Sequence, residues 1–243
     1  MDSLAALASS PAAWAALGTL IVMEIVLGID NLIFVALVTN RVDAPRRPLA
    51  RAIGIGLALV LRLALLGSAA WLVRLTTPVV TLFAHEFSWR DLVLIAGGLF
   101  LVYKATSEIR GTIEPEGGQE TQVAAPLRFS AAISQIIMLD LVFSIDSIIT
   151  AVGMTNEFAI MVIAVVVAVA LMLAAAAPLS KFIHANPTII MLALAFLMMI
   201  GMSLIADGFG VHVPKNYIYA AMGFSAGVEA LNRVARRGRG GRR

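Results

Sequence analysis

The chain has 243 residues, of which 60% are hydrophobic and 14% are charged, and its net charge is +3. Ordinary soluble domains have about 25% charged residues, and the mean hydropathy here is +0.93, so the composition excludes a soluble protein and indicates an integral membrane protein. We expect a single membrane domain over residues 1–243, since the length leaves little beyond spans and connections. The sequence contains no cysteine, which excludes disulfides and thiolate metal ligands.

Apolar segments predict seven transmembrane helices. They cover, in chain order, about residues 11–39, 49–73, 92–107, 131–154, 158–179, 188–206 and 217–234. The third segment is the shortest, and glycine, proline, asparagine and charged residues fill the connections. The first positively charged residue, Arg41, follows the first segment, so we expect that segment to be retained as a span rather than cleaved as a signal peptide.

The distribution of basic residues predicts the orientation. Of the 18 Lys and Arg residues, 14 fall on one predicted side of the membrane, and three fall on the other, namely Arg74, Arg90 and Lys215. Because basic residues accumulate on the cytoplasmic side, we expect the N-terminus outside and the C-terminus in the cytoplasm. The basic tail from Arg233 onward sets topology and attracts anionic lipid; it is short and lacks interleaved aromatic residues, so we expect no nucleic-acid partner.

One acidic motif occurs twice within the predicted spans. Residues 24–31 read EIVLGIDN and residues 140–147 read DLVFSIDS, so each copy has two acids six positions apart, at Glu24 and Asp30 and at Asp140 and Asp146. A charged side chain at the centre of a spanning helix costs about 3 kcal/mol on insertion scales. Four such residues therefore indicate a function, and carboxylates in this position most often hold a cation, a proton or each other.

Three predicted spans separate the two copies, so the helices that carry them run in opposite directions. The sequence therefore predicts an all-α integral membrane fold with seven transmembrane helices, arranged as a 3+3 inverted repeat, about 11–108 and 131–206, plus a C-terminal helix. In that arrangement Glu24 shares a depth with Asp146, and Asp30 with Asp140. Six residues of continuous helix turn by about 240°, so all four acids point inward only if the helices break or bulge near Gly28 and Ser144.

The donors of the two motifs favour a hard divalent cation. Carboxylates, the Asn31 amide and the Ser144 and Ser147 hydroxyls form an all-oxygen set that suits Mn²⁺, Mg²⁺ or Ca²⁺. The three histidines fall in predicted connections, and methionines of the sixth predicted span are interpreted as packing residues rather than copper ligands. We expect metal ion and protons as the ligands, with no organic cofactor, and the sequence leaves the oligomeric state open.

A structural interpretation of the same acids remains open. They would then only connect helices, either protonated or paired with Arg62, the one basic residue deep in a predicted span. One arginine cannot neutralise four carboxylates, so this interpretation is the weaker one. Arg62 itself is either a counter-ion of the site or a packing residue. Asp207 and Glu229 lie near span ends, where snorkelling explains them, and they are secondary candidates for a gate.

Both motifs, with the segments 62–66, 97–104 and 212–229, resemble the TerC family of integral membrane proteins, in its YgdQ- and YoaE-like bacterial branch, within the LysE-like transporter superfamily. The resemblance implies a seven-span inner-membrane protein associated with manganese export, metal supply to exported proteins and tellurite resistance. It also implies a set of metal-binding positions, namely Glu24, Asp30, Asn31, Asp140, Asp146 and Ser147. Two positions depart from the family pattern: Asp207 stands where Glu is common, and Asn216 where Gly is common.

These observations together predict an inner-membrane transporter that exports a divalent cation, with Mn²⁺ favoured, by alternating access around the carboxylates and with protons as a compatible driving ion. A membrane scaffold that assists insertion or metallation of other proteins is the alternative. An intramembrane aspartyl protease is disfavoured because the Gly-x-Gly-Asp context is missing before Asp30, so we expect no enzyme.

Overall fold

The computed structural model of the chain describes residues 10–69, 76–82, 85–113, 127–155 and 157–240. Its main elements, in chain order, are α1 (Pro11–Asn40), α2 (Arg47–Gly67), β1 (Pro78–Leu82), β2 (His85–Ser88), α3 (Trp89–Ile113), α4 (Phe129–Met154), α5 (Phe158–His184), α6 (Pro187–Gly208) and α7 (Lys215–Gly240). Arg74 and the last residues of the second predicted span, 70–73, lie outside the described residues.

The helices confirm the all-α integral membrane fold. Within the described residues, six helices, α1 to α6, are long and apolar enough to cross a membrane. Helix α3 has 25 residues, so the third span is longer than its apolar segment predicted. The seventh predicted segment does form a helix, α7, but α7 is not among the six, and the count of seven spans stays a prediction.

A short hairpin interrupts the helical pattern. Strands β1 and β2 pair in antiparallel fashion, with Leu82 opposite His85 and an irregularity between Pro78 and Val80. The run Val79, Val80 and Thr81 is β-branched, which favours a strand. The sequence analysis treated this stretch only as a connection, because it is too short to give a clear periodic signal.

Local signals define several helix ends. The Ser10 hydroxyl accepts a hydrogen bond from the Ala13 amide at the start of α1, and α1, α2 and α6 each have proline in the first turn, where its missing N–H costs nothing. After α6 the chain turns at Gly210, whose φ of 78° is accessible to glycine.

The chain forms two compact units. The first comprises Met1–Arg90 and Val123–Ile183, and in it α4 packs against both α1 and α2. Gly54 of α2 lies against Ile136 of α4, and a Cβ at Gly54 would come within 2.8 Å of the Ile136 Cδ1. The two helices that carry the acidic motifs are thus neighbours, as the inverted repeat requires.

The second unit comprises Asp91–Gln122 and His184–Arg243. Within it α3 and α6 meet at two glycines, where a Cβ at Gly98 would lie 2.5 Å from the Gly201 carbonyl oxygen and 3.0 Å from the Ile205 backbone nitrogen. The Ile205 Cγ1 lies at 2.8 Å as well, but the nearest atom, the Gly201 oxygen, belongs to the backbone, so movement of a side chain alone cannot make room. This crossing depends on the lack of a side chain at position 98.

We therefore expect Gly98→Ala to separate α3 from α6 and to lower the free energy of unfolding by about 1–3 kcal/mol, the range for overpacking. Thermal unfolding in detergent measures the effect. Gly223→Ala in α7 is the control, because a Cβ there meets nothing within 4 Å. Equal stability of the two variants would contradict the close crossing.

Candidate ion-binding site

Each acidic motif presents two faces of a continuous helix. Helices α1 and α4 run without interruption through both motifs, so the predicted break at Gly28 and Ser144 was wrong. On α1, Glu24, Gly28 and Asn31 are spaced i, i+4, i+7 and share one face. Asp30 is about 240° from Glu24 around the helix. An intact helix keeps every backbone hydrogen bond satisfied in a membrane, which a break would sacrifice.

Helix α4 repeats this arrangement. Asp140, Ser144 and Ser147 have the same i, i+4, i+7 spacing and share a face, and Asp146 lies on another. The first acids of the two motifs, Glu24 and Asp140, therefore belong to the inner faces of the α1–α4 pair. The second acids, Asp30 and Asp146, lie on other faces of these helices and contact other parts of the molecule.

Arg62 of α2 joins the first acids of both motifs. Its Nη1 donates to Glu24 Oε2 at 2.7 Å and its Nη2 donates to Asp140 Oδ1 at 2.9 Å. Its Nε donates to the Ser144 hydroxyl at 3.1 Å. We call Glu24, Arg62, Asp140 and Ser144 the Arg62 cluster, and each member is at most 7% exposed. The fork of the guanidinium thus holds three helices together through buried, charge-assisted hydrogen bonds.

The Asp140 carboxylate accepts three side-chain hydrogen bonds, as many as the Arg62 guanidinium donates. Its Oδ2 accepts from the Ser144 hydroxyl at 3.1 Å, while its Oδ1 also accepts from the Asn31 amide at 3.4 Å. The Asn31 Oδ1 is buried and accepts no hydrogen bond from the described residues. Asn31 therefore brings a carbonyl oxygen, as well as a donor, to the edge of the cluster.

The predicted pairing of Glu24 with Asp146 does not describe the contacts. Asp146 forms an ion pair with Arg90 at 2.6 Å, in which both side chains are 17% exposed, and Glu24 shares Arg62 with Asp140 instead. Asp30 is buried on α1. The reason is helical geometry, since acids six residues apart on an intact helix face different neighbours.

The other predicted donors are distributed unevenly. The Ser147 hydroxyl is buried and donates to the Ser144 backbone oxygen at 3.3 Å, so its hydrogen bond stays within α4. Across the described residues, no group of three or more acidic or histidine side chains is close enough together to hold a metal. The structure places Arg62 between two of the acids, and the set of six metal positions stays a prediction.

A small pocket adjoins the cluster. It has a volume of about 30 Å³, and Asn31, Asp140 and Met172 line it together with apolar side chains of α1, α2, α4 and α5. One water needs roughly 10–15 Å³ by this measure, so the pocket has room for about two waters or one ion.

A second polar cluster lies at the end of α1. The Ser180 hydroxyl of α5 accepts from Arg51 Nη2 at 2.8 Å and donates to Asn40 Oδ1 at 2.6 Å, and the Asn40 amide donates to the Ser180 carbonyl at 3.3 Å. Asn40 follows Glu24 by 16 residues, or about 24 Å of helix. We call these three residues the Ser180 clamp; the sequence analysis missed it because each residue alone is an ordinary polar residue near a span end.

Comparison with known proteins identifies the family. The family model "Integral membrane protein TerC family" matches residues 9–239. The chain belongs to the TerC family. It is 50% identical to inner membrane protein YgdQ of Escherichia coli over 227 residues, which cover 93% of this chain and 94% of YgdQ. It is 47% identical to inner membrane protein YoaE over the same length, which covers 93% of this chain but only 44% of YoaE. No solved structure matches the chain.

The two secondary candidates of this TerC protein belong to the second unit. Asp207 is buried near the end of α6, and its Oδ1 lies 3.7 Å from Nδ1 of the exposed His212. Glu229 is partly exposed on α7. A gating role for Asp207 and Glu229 stays a prediction.

For this TerC protein we expect Arg62→Gln to lower the free energy of unfolding by about 3–5 kcal/mol, since removing one partner leaves uncompensated buried charge. Adding Glu24→Gln and Asp140→Asn should restore part of the loss, because a buried neutral amide costs less than a buried carboxylate. Thermal unfolding in detergent measures both effects. Arg90→Gln is the matched control and should cost less, because its ion pair is more exposed; an equal loss at both arginines would contradict the central role of Arg62.

Proposed function

We propose that this TerC-family protein moves a divalent cation, with Mn²⁺ as the first candidate, out of the cytoplasm across the bacterial inner membrane. The observation that carries the proposal is the buried guanidinium of Arg62, shared by one carboxylate from each acidic motif. A positive charge thus stands between the two motifs, and the motifs supply the negative charge that a metal ion requires.

Charge balance favours a divalent ion. Ionised Glu24 and Asp140 carry two negative charges, and Arg62 compensates only one of them. A divalent cation compensates both, and so does Arg62 together with one proton. Because uncompensated charge is costly at this burial, the metal ion alternates with Arg62 plus a proton. The displaced guanidinium keeps its charge and needs another acceptor or water while the metal ion is bound. Its return to the carboxylates together with one proton couples metal export to proton entry.

The donors near Arg62 favour Mn²⁺ among common cations. Carboxylates and the Asn31 carbonyl oxygen are ligands for Mn²⁺, Mg²⁺ and Ca²⁺. The pocket beside Asp140 accommodates one ion with little or no hydration. Mg²⁺ loses its water shell reluctantly, so a pocket of this size disfavours it relative to Mn²⁺.

Polar contacts on either side of the cluster provide the two gates that alternating access requires. With the N-terminus outside, the Arg90–Asp146 pair lies in the outer half of the membrane and the Ser180 clamp on the cytoplasmic side. Each joins side chains of the first unit, Arg90 to Asp146 of α4 and Arg51 of α2 to Ser180 of α5. Opening one while the other stays closed would expose the Arg62 cluster to one side at a time.

Uptake into inverted proteoliposomes tests the proposal. We expect Mn²⁺ uptake by the wild-type protein, faster when protons flow in the opposite direction, and uptake at background level for Glu24→Gln and Asp140→Asn. Asp30→Asn and Asp146→Asn should also abolish uptake if all four acids belong to the path. Glu157→Gln, at an exposed residue, is the control and should match wild type. Metal binding without any uptake would favour the scaffold that metallates other proteins.

Metal-dependent stability tests the exchange itself. If Arg62 and metal compete for the same carboxylates, Arg62→Gln binds Mn²⁺ more tightly, and saturating Mn²⁺ raises its melting temperature by more than that of wild type. Arg90→Gln should gain no more than wild type. An equal gain in all three proteins would return Arg62 to a structural role.

A further inference from the structure

The pocket beside Asp140 lies between the Arg62 cluster and the Ser180 clamp. Helices α1 and α2 each contribute one residue to the cluster and one to the clamp. On both helices the residues that line the pocket fall between those two. The order is Glu24, residues 31–35 and Asn40 on α1, and Arg51, residues 55 and 58 and Arg62 on α2. A path from the clamp to the cluster therefore passes through the pocket.

The walls of the pocket are almost wholly apolar. Of its 11 described lining residues, nine are apolar, and Asp140 is the one carboxylate among them. That carboxylate is already bonded to Arg62. An ion fits the volume of about 30 Å³, but apolar walls cannot replace the water that an ion loses. The pocket is therefore suited to the passage of an ion and not to its binding.

The Ser180 clamp joins three of the four helices that line the pocket. Arg51 of α2 donates to the Ser180 hydroxyl of α5 at 2.8 Å, and this hydroxyl donates to Asn40 of α1 at 2.6 Å. Ser180 is 2% exposed. While these bonds hold, α1, α2 and α5 stay together at the end of the pocket that is away from the Arg62 cluster.

Helix α5 is weakened next to the clamp. Pro178 lies inside the helix, two residues before Ser180. Proline lacks the amide hydrogen that would bond to the carbonyl four residues earlier, and helices bend at such positions. The last turn of α5 can therefore move with a smaller loss of backbone hydrogen bonds than in an unbroken helix. The clamp holds this turn against α1 and α2.

We propose that the pocket is a hydrophobic gate, formed by Phe34, Ile55, Leu139 and Val169 from the four helices, and that it is dry while the Ser180 clamp is closed and fills with water when the clamp opens. Small apolar cavities stay free of water, and apolar constrictions stop ions for this reason. The inference rests on the proposed function, in which this side faces the cytoplasm. It adds the barrier that separates the Arg62 cluster from cytoplasmic water.

Cysteine labelling tests the gate without a transport measurement, because the sequence contains no cysteine of its own. Ala58→Cys places a thiol on the wall of the pocket. In inverted proteoliposomes we expect it to react slowly with a charged methanethiosulfonate reagent. Adding Ser180→Ala should raise the labelling rate by about 10-fold or more, since the loss of a hydrogen bond from a charged donor changes an equilibrium by such a factor.

Controls at two other positions identify the cause of any change. Ala50 is buried on α2 but does not line the pocket, so Ala50→Cys should stay unreactive with and without Ser180→Ala. Asp43→Cys, at an exposed position, should react quickly in both backgrounds. Arg51→Gln is a second way to open the clamp and should act as Ser180→Ala does. Labelling of Ala58→Cys that is fast with the clamp intact, unchanged by both clamp variants, or matched by Ala50→Cys would overturn the proposal.

Adding hydroxyls to the pocket tests its role in coupling. Ala58→Ser with Val35→Thr leaves the clamp untouched, and each hydroxyl can donate to the carbonyl one turn earlier in its helix, so the protein should fold. We expect Mn²⁺ uptake to persist but to lose its dependence on the pH gradient, because water in the pocket lets protons pass the closed clamp. Ala50→Ser is the control and should keep wild-type coupling. Wild-type coupling in the double variant would count against the gate.

The labelling and uptake experiments together separate this inference from the proposed function. Labelling that depends on the clamp, in a protein that takes up no Mn²⁺, would refute the transporter and keep the gate. Uptake of Mn²⁺ with labelling that is independent of the clamp would keep the transporter and refute the gate.

Discussion

The packing of the first unit depends on three buried charged groups, the carboxylates of Glu24 and Asp140 and the guanidinium of Arg62 between them. Glu24 and Asp140 come from helices more than one hundred residues apart in the chain, and a single guanidinium on α2 holds both. Neither carboxylate is stable at this burial without a cation, so the positions of α1, α2 and α4 are fixed together. The close approach at Gly54 and the hydroxyl of Ser144 serve this arrangement, because they bring the helices near enough for one arginine to reach both acids.

Much of this could be read from the sequence. Apolar segment lengths predicted the spans, and the duplicated motif singled out Glu24, Asp140 and their neighbours. The partners of the acids could not be predicted, because the ion pairs join residues that are far apart in sequence. Arg62 lies 78 residues from Asp140, and Arg90 lies 56 residues from Asp146. The prediction expected all four acids to converge and therefore required a helix break. The helices are instead intact, so the second acids of the motifs, Asp30 and Asp146, face other neighbours than the first acids do.

The features that sequence analysis missed share a physical cause. The Ser180 clamp joins Asn40 to a residue 140 positions away, and Met172 contacts a glycine in the first span. Neither produces a local pattern, since hydroxyl, amide and thioether side chains are common in spanning helices. The reason for a glycine at position 28 becomes clear only from the structure. A glycine in a helix interior costs about 1 kcal/mol relative to alanine, and here the missing side chain leaves room for the Met172 sulfur of α5.

A built-in competitor also suits a transporter better than a site of maximal affinity. If a metal ion has to replace Arg62, part of its interaction energy with Glu24 and Asp140 is offset by the contacts that the guanidinium gives up. Binding is thereby weakened, but release becomes possible, because Arg62 returns to the carboxylates as the ion leaves. Arg62 then compensates one of the two carboxylates and a proton the other, so release leaves no uncompensated negative charge buried. In the proposed exchange, the arginine that stabilises the fold of the first unit would therefore also limit how tightly the site holds a metal ion.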